Sequence, residues 1–347
     1  MPKSTEAFSS YHRQKELLTE YIQISTAALA LLCRNVEVPN APEMLGTLVD
    51  ACGIKHWGNG KKYNRAIEKV NAGRDALACQ GIIQQVSAFD YFTRNIIVEL
   101  ARLSSRARHE HPQLAHEHHL LKLSPQQRWV ISPCCNEVVD HLHDFSERLD
   151  ELRQWIGWQP SARLIPILPL IDLVRQIRNR IAHYDSFVGS ELEEFARSRN
   201  VTEALSAFRQ RYARRSLPEL PSFDRGVRLQ LTPVHVILFG AFFYEIAKEV
   251  NAHAADLLSD DEFIDMAFFY SCIVSKHSFR TIRHRSADTR IRHYLTGHYL
   301  RENNVPSLQR VIRRLSNQSL AQPTQRPNQT TLWRIAQTRH QEMTVQQ

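Results

Sequence analysis

Apolar residues recur at every third or fourth position over most of the chain, and this spacing predicts helices. The longest stretches run from Thr5 to Cys33, Asn71 to Arg106 and Val138 to Trp158, others begin at Thr232 and Glu262, and a charged surface helix is predicted from Glu191 to Tyr212. No strongly alternating segment, typical of a strand, stands out, and the 347 residues include only 11 glycines. We therefore expect an all-α protein with enough core for two or three domains.

One stretch, from Leu170 to Tyr184, carries both an apolar stripe and a polar row. The stripe consists of Leu170, Ile171, Val174, Ile177 and Ile181. Arg175, Asn179 and His183 are four residues apart and stack along another side, with Arg178 beside them. Guanidinium groups bind phosphate oxygens and imidazole exchanges protons near neutral pH, so this helix suits the binding and cutting of a phosphodiester. The structural alternative is a helix end whose Arg and His lie beside the negative end of the helix dipole.

The six residues from Arg178 to His183 (Arg-Asn-Arg-Ile-Ala-His) resemble the Arg-polar-x-x-x-His motif of the HEPN superfamily. A second stretch, Ile82 to Leu100, resembles the long early helix of HEPN proteins found beside RNA-repair ligases. Many members are metal-independent endoribonucleases of toxin–antitoxin, abortive-infection or other antiviral defence systems. The resemblance implies that Arg178, Asn179 and His183 are catalytic, and that the chain is an RNA hydrolase.

The resemblance also implies a reaction and a role for each residue. The 2′-hydroxyl of RNA would attack the adjacent phosphorus, leaving a 2′,3′-cyclic phosphate and a 5′-hydroxyl. His183 would act as the acid–base group or polar anchor, Arg178 would hold the non-bridging oxygens, and Asn179 would orient the imidazole or the phosphate. No cofactor and no metal are expected. The expected substrate-binding residues are Arg175, Arg180, Tyr184 and, less directly, Arg94, for which an ion pair with Asp90 or Glu99 is the alternative.

On this interpretation the chain has three parts: an N-terminal helical extension at residues 1–70, a HEPN-like helical bundle at 71–275, and a basic helical C-terminal tail at 276–347, partly flexible. One motif is half a site in this family, and no second good copy is found, so a symmetric homodimer is implied. The expected partners are RNA, a second copy of the chain, and an antitoxin or defence-system protein.

Positive charge is concentrated at the C-terminal end. The whole chain has a formal net charge of +8, and the segment from Lys276 carries 13 Lys and Arg against three acidic residues, or +10. This distribution indicates a nucleic-acid partner for the tail. The tail residues expected to contact phosphates are Arg283, Arg285, Arg310, Arg313 and Arg314.

The remaining sequence features favour a cytoplasmic protein. The first ten residues are polar, no apolar run is expected to reach the length of a membrane span, and the six cysteines form no Cys-x-x-Cys pair. A connector from His109 to His119 is rich in His and Glu but lacks a full metal-ligand pattern. A plain polar connector is therefore the favoured interpretation.

Two other functions fit the same residues. The first is a non-catalytic HEPN-like module that binds nucleic acid or protein through its basic tail, in which His183 would be dispensable. The second, ranked last, is a helical transcription regulator that places residues 290–315 in a DNA groove. Catalysis requires Arg178 and His183 to open onto a shared groove.

Overall fold

The structure, a computed structural model, describes residues 4–36, 47, 51, 66–112, 121–123, 129–131, 147–211, 217–268, 270 and 293–299. Across these residues the chain is mainly helical, as the predicted all-α class requires. The helices are α1 (Glu6–Val36), α2 (Ala66–Leu103), α3 (Ser105–Glu110), α4 (Arg148–Ile156), α5 (Pro169–His183), α6 (Ser190–Ala196), α7 (Arg199–Arg211), α8 (Pro233–Asp256) and α9 (Asp260–Phe268). The described ranges also contain a 3-10 turn at Ile165–Ile167 and a π-helical turn at Tyr294–His298.

A short hairpin is a small departure from the all-helical expectation. Strand β1 (Leu121–Leu123) pairs antiparallel with β2 (Trp129–Ile131), with Leu121 opposite Ile131. Each strand has only three residues, so neither contains enough alternation for the period-two pattern to be recognised in the sequence.

The chain forms two compact units. Unit one comprises Met1–His12, Asp90–Pro160 and Ile246–Gln347, and unit two comprises Arg13–Phe89 and Ser161–Glu245. This division differs from the three consecutive parts expected from the sequence, because it falls within α1, α2 and α8. The apolar spacing continues unbroken through a long helix, so it marks no boundary there.

In unit one, buried carboxylates cap the starts of helices. Glu99 is 2% exposed, and its two oxygens accept the backbone N–H groups of Glu6 at 3.0 Å and Ala7 at 2.8 Å, at the start of α1. Glu262 accepts the backbone N–H of Ser105 at 2.6 Å, at the start of α3, and that of Ser259 at 2.7 Å, just before α9. These N–H groups lack partners inside their own helices, so each carboxylate satisfies donors that would otherwise be left over.

A buried ion-pair network holds α4 in unit one. The guanidinium of Arg148, 1% exposed, donates to Asp90 at 2.7 Å and to Glu151 at 2.6 Å. Partial burial raises the pKa of Glu151, and the bond from Arg148 opposes that shift. The helix ends at Ile156, two residues before the predicted end at Trp158, and its cap residue Gly157 takes a left-handed φ of 68°.

The core of unit two is built around aromatic side chains. Phe89 and Phe243 have ring centroids 4.8 Å apart, and Phe208 lies 4.7 Å from Phe242. A Cβ atom at Gly240 would lie 2.6 Å from the side-chain nitrogen of Gln85. A larger residue at this position would have to displace the amide end of the buried Gln85 where this part of α8 approaches α2.

The start of α8 in unit two contains a buried histidine. The backbone N–H of Thr232 donates to Nδ1 of His235 at 3.0 Å, so the ring proton lies on Nε2, which donates to the carbonyl of Glu219 at 3.1 Å. Burial lowers the pKa of His235, which favours the neutral ring. The predicted helix start at Thr232 and Pro233 is confirmed, with the histidine as an additional capping group.

The predicted single helix from Glu191 to Tyr212 is wrong, because the chain forms α6 and α7 with a break at Arg197 and Ser198. The hydroxyl of Ser198 accepts the backbone N–H of Val201 at 3.4 Å, and its backbone N–H donates to the carbonyl of Phe195 at 3.1 Å. Serine favours such local bonds, which begin a helix rather than continue one. The segment is also more than a surface helix, since α7 buries Val201 and Phe208.

The first helix is long and apolar enough to cross a membrane. This differs from the expectation that no apolar run reaches that length. Residues Glu6–Arg34 include an 18-residue window with a mean hydropathy of 1.2, of which 11% is buried. Core helices and signal sequences share this length and composition, so these properties alone assign no membrane role.

Candidate functional site

The motif helix α5 forms where the sequence predicts it. It runs from Pro169, acceptable in the first turn, to His183, and the N–H of Tyr184 closes it by donating to the carbonyl of Arg180 at 3.0 Å. The buried stripe consists of Leu170, Ile171, Leu173, Val174 and Ile177. This face packs the helix against α6, α7 and the 3-10 turn, so the polar side is held in one orientation.

The predicted catalytic residues lie on the solvent side of the last two turns. Arg178 donates from Nη1 to the side-chain oxygen of Asn179 at 3.0 Å. Both side chains are half-buried, whereas His183 is exposed, with its ring edge-on to Tyr184 at 6.4 Å. The guanidinium therefore fixes the orientation of the Asn179 amide by binding its oxygen.

A groove of about 590 Å³ opens along one side of this helix end. Its lining residues are Arg175, Gln176, Asn179, Arg180, Tyr184, Glu191, Glu194 and Phe195. Three of the four residues expected to bind substrate line the groove, namely Arg175, Arg180 and Tyr184. Of the three predicted catalytic residues, Asn179 lines it, and Arg178 and His183 do not. Among the predicted catalytic residues, the groove thus reaches only Asn179 directly, so it is not the groove shared by Arg178 and His183 that catalysis was predicted to require.

The groove holds Arg180 through three contacts. The guanidinium lies over the ring of Tyr184, 4.5 Å from its centroid, and its Nη2 is 3.5 Å from a carboxylate oxygen of Glu191. It also lies so close to Gly189 that a Cβ atom there would be 2.6 Å from Nη2. Stacking on an aromatic ring leaves the edge of a guanidinium able to donate to a phosphate. The exposed carboxylate of Glu191, 87% accessible, lies at that edge.

A tight connection follows the helix and fixes its end. Asp185 and Ser186 both take positive φ, 47° and 65°, and the N–H of Ser186 donates to the carbonyl of Arg180 at 3.0 Å. The carbonyl of Ser186 accepts the N–H of Leu229 at 2.9 Å, and its hydroxyl lies 3.9 Å from the Cys79 thiol of α2. Burial raises the pKa of Cys79, which favours the neutral thiol over the thiolate.

The other predicted site residues lie elsewhere. Arg94 is in unit one, where its Nε is 3.4 Å from a carboxylate oxygen of Asp90, so the ion pair weighed as its alternative role is present. The tail residues Arg283, Arg285, Arg310, Arg313 and Arg314 lie outside the described residues, as does His116–His119 of the histidine connector. Within the described ranges, no group of three or more His, Cys, Asp or Glu side chains is arranged to hold a metal ion.

Sequence reasoning missed the acidic side of the groove. Glu191 and Glu194 come from α6, and Gly189 precedes it. The helical pattern shows that Glu191 and Glu194 share a face, but it does not show that this face meets the end of α5. A glycine two positions before a cluster of glutamates, and six positions after His183, was the available signal.

No protein-family model, curated protein or solved structure matches this chain. The class of protein therefore has to be inferred from the helical fold, the motif helix and its groove.

Proposed function

We propose that this protein is a HEPN-like endoribonuclease that cleaves RNA without a metal ion, as part of a prokaryotic toxin–antitoxin or anti-phage system. The observation that carries the proposal is the position of Asn179. Its amide lines the groove and accepts a hydrogen bond from Arg178 at 3.0 Å, so RNA in the groove is brought next to the motif. A helix end with guanidinium, amide and imidazole groups matches what this reaction needs.

In the proposed reaction, the 2′-oxygen forms a bond to the adjacent phosphorus while the bond from phosphorus to the 5′-oxygen breaks. The proton leaves the 2′-hydroxyl and a proton is delivered to the departing 5′-oxygen, so no other reactant is consumed. Arg178 and Asn179 stabilise the non-bridging oxygens, and His183 transfers a proton. Arg175 and Arg180 hold neighbouring phosphates, and Tyr184, 57% exposed, stacks on a base.

One chain supplies one imidazole at this helix end, whereas the reaction needs a proton acceptor and a proton donor on opposite sides of the phosphorus. A two-fold dimer brings a second set of the same groups to one RNA, so a homodimer belongs to the proposal. Four arginines, Arg178 and Arg180 of each copy, would repel one another at such a seam, and bound RNA relieves that repulsion. RNA binding and dimer formation are therefore expected to strengthen each other.

A non-catalytic RNA-binding module is the second candidate function. It is favoured by the lining of the groove, which contains Arg175, Arg180 and Tyr184 but neither Arg178 nor His183. Those lining groups suffice to bind phosphates and a base. On this alternative, the motif stabilises the helix end and cleaves nothing.

The experiment compares RNA cleavage by the parent protein, Arg178→Ala and His183→Ala, all in EDTA. The proposal expects the parent to produce fragments with 5′-hydroxyl ends and both variants to lose cleavage while keeping a native unfolding transition. Arg199→Ala is the matched control, since Arg199 is exposed and pairs only locally with Glu203 at 2.7 Å. Equal cleavage by all variants would refute the catalytic assignment. Binding without cleavage by the parent would support the second candidate.

The basic tail is proposed to add electrostatic affinity. Removing Lys276–Gln347 takes away +10 of charge, so RNA affinity should fall and depend less steeply on salt. The readout is the slope of the logarithm of the binding constant against the logarithm of salt concentration. An unchanged slope would exclude the tail as an RNA contact.

A further inference from the structure

One side of α1 in unit two exposes a regular apolar row. Leu17, Tyr21, Ile24, Ala28 and Leu31 follow one another at intervals of four, three, four and three residues. The large members are well exposed, at 66% for Leu17, 55% for Tyr21, 71% for Ile24 and 60% for Leu31. A different side of the same helix packs inward through Leu18 and Ile22. The exposed row is therefore additional to the face that holds the helix in the fold.

Alternation of four and three is the heptad repeat of helices that pack along a shared seam. In that repeat Tyr21 and Ala28 occupy heptad position a, and heptad position d is occupied by Leu17, Ile24 and Leu31. Single exposed apolar residues are ordinary on protein surfaces, but a row spanning about 21 Å of helix fits a second helix in particular.

Charged residues flank this row on one edge and determine whether two such helices would pair parallel or antiparallel. Glu20 and Arg34 are both exposed and both occupy g positions. In a parallel pair, g positions face e positions, and Glu20 would meet Ser25, which carries no charge. In an antiparallel pair, g positions face g positions, so residues of opposite charge on one helix can meet across the seam.

The apolar and charged positions agree on one antiparallel register. Placing Ile24 opposite the partner's Ala28 also places Tyr21 opposite the partner's Leu31. The same register brings Glu20 beside the partner's Arg34 and, by the two-fold symmetry, Arg34 beside the partner's Glu20. Shifting the helices so that Tyr21 lies opposite the partner's Ile24 would instead bring Arg13 beside the partner's Arg34, which is repulsive.

We propose that α1 is a self-association surface, in which two copies of this chain form an antiparallel helix pair closed by two Glu20–Arg34 ion pairs. The surface is separate from the proposed RNA cleavage, and its formation needs no RNA. Four interlocking layers cover less than the roughly 1,600 Å² of a standard protein interface, so the pair is expected to be weak and to depend on protein concentration.

The test is charge exchange, read as mass in solution by sedimentation or light scattering over a range of concentrations without RNA. Arg34→Glu and Glu20→Arg should each raise the dissociation constant of the dimer about tenfold or more, because each creates two like-charge contacts. The double variant Glu20→Arg/Arg34→Glu should restore the parent value. Gln23→Glu adds a negative charge on another side of α1 and should leave the dissociation constant unchanged.

Other results would overturn the proposal. A parent protein that stays monomeric at every concentration, or a double variant no better than the single ones, would exclude this helix pair. If Ile24→Glu abolishes binding to phospholipid vesicles while self-association is absent from the parent, the row is a membrane-binding surface instead. Since Ile24 is 71% exposed, its replacement should leave the unfolding transition of the chain intact.

Discussion

Replacing Gly189 with alanine tests the groove through a single methyl group. The new Cβ would lie 2.6 Å from Nη2 of Arg180 and 2.7 Å from its Cζ. The guanidinium would have to withdraw by about 0.8 Å to reach an ordinary contact of 3.4 Å. It would then leave its position over the Tyr184 ring and beside Glu191. The substitution thus displaces one charged group of the groove without removing any.

The effect on stability should be small because opposing contributions nearly cancel. Gly189 has φ −91° and ψ 169°, a conformation open to alanine, so the loss of backbone freedom in the unfolded chain stabilises by roughly 0.4–1 kcal/mol. Against this, alanine is a poorer residue than glycine before a helix, and the stacked guanidinium contributes about 0.5–1 kcal/mol at an exposed site. The free energy of unfolding should therefore change by less than about 1 kcal/mol.

RNA binding should change far more. A hydrogen bond from a charged donor contributes roughly 1.5–3 kcal/mol, so a misplaced Arg180 should weaken binding of single-stranded RNA by about 10- to 100-fold. Fluorescence anisotropy measures the affinity and urea unfolding measures the stability. Gly73→Ala is the matched control, because its new Cβ would meet only Leu29 at 3.8 Å. If Gly189→Ala binds RNA as tightly as the parent, Arg180 is not an RNA contact and the assignment of this groove fails.

Three further predictions follow from other contacts. Ile177→Ala should lower the free energy of unfolding, measured in urea, by about 2–5 kcal/mol, because Ile177 is fully buried on the inner face of the motif helix. A smaller loss would mean that the core collapses around the cavity left by the missing side chain. Glu191→Gln should tighten RNA binding by freeing Arg180, and should do so more than Glu194→Gln; equal effects would point to general charge alone. Because the pKa of His235 is lowered in the folded protein, the unfolded chain binds more protons than the folded chain below about pH 6.5. The stability that His235 contributes above that pH is therefore lost as pH falls. His235→Gln should make the free energy of unfolding less dependent on pH between about pH 7.5 and pH 5.

The motif helix could be predicted from sequence because its signals are local. The apolar spacing from Leu170 to Ile177, the proline at its start and the polar row together specify a helix and the face it buries. The end of α4 was predictable for the same reason, since Gly157 supplies a left-handed residue. Both rest on residues within a few positions of one another.

The groove could not be predicted because its parts come from separate elements. Spacing along α5 places Arg178 beside Asn179, but it does not determine that Asn179 reaches the groove and Arg178 does not. The contact of Arg180 with Gly189 depends on the turn between α5 and α6, whose path is set by two residues of positive φ. A helical pattern contains no information about such a turn.

Asp185 and Ser186, the two left-handed residues after the motif helix, should also govern which sequences evolution can accept at this point. In a library of all single substitutions selected for folded protein, both positions should tolerate glycine and reject valine, isoleucine and proline, the reverse of a permissive surface loop. Ser186 is only 3% exposed, so substitutions to bulky side chains should be selected against there as well. A pair of residues that accept the left-handed conformation, separated by one residue from the end of an Arg-Asn-x-x-x-His helix, is thus a fingerprint by which distant homologues of this chain can be recognised.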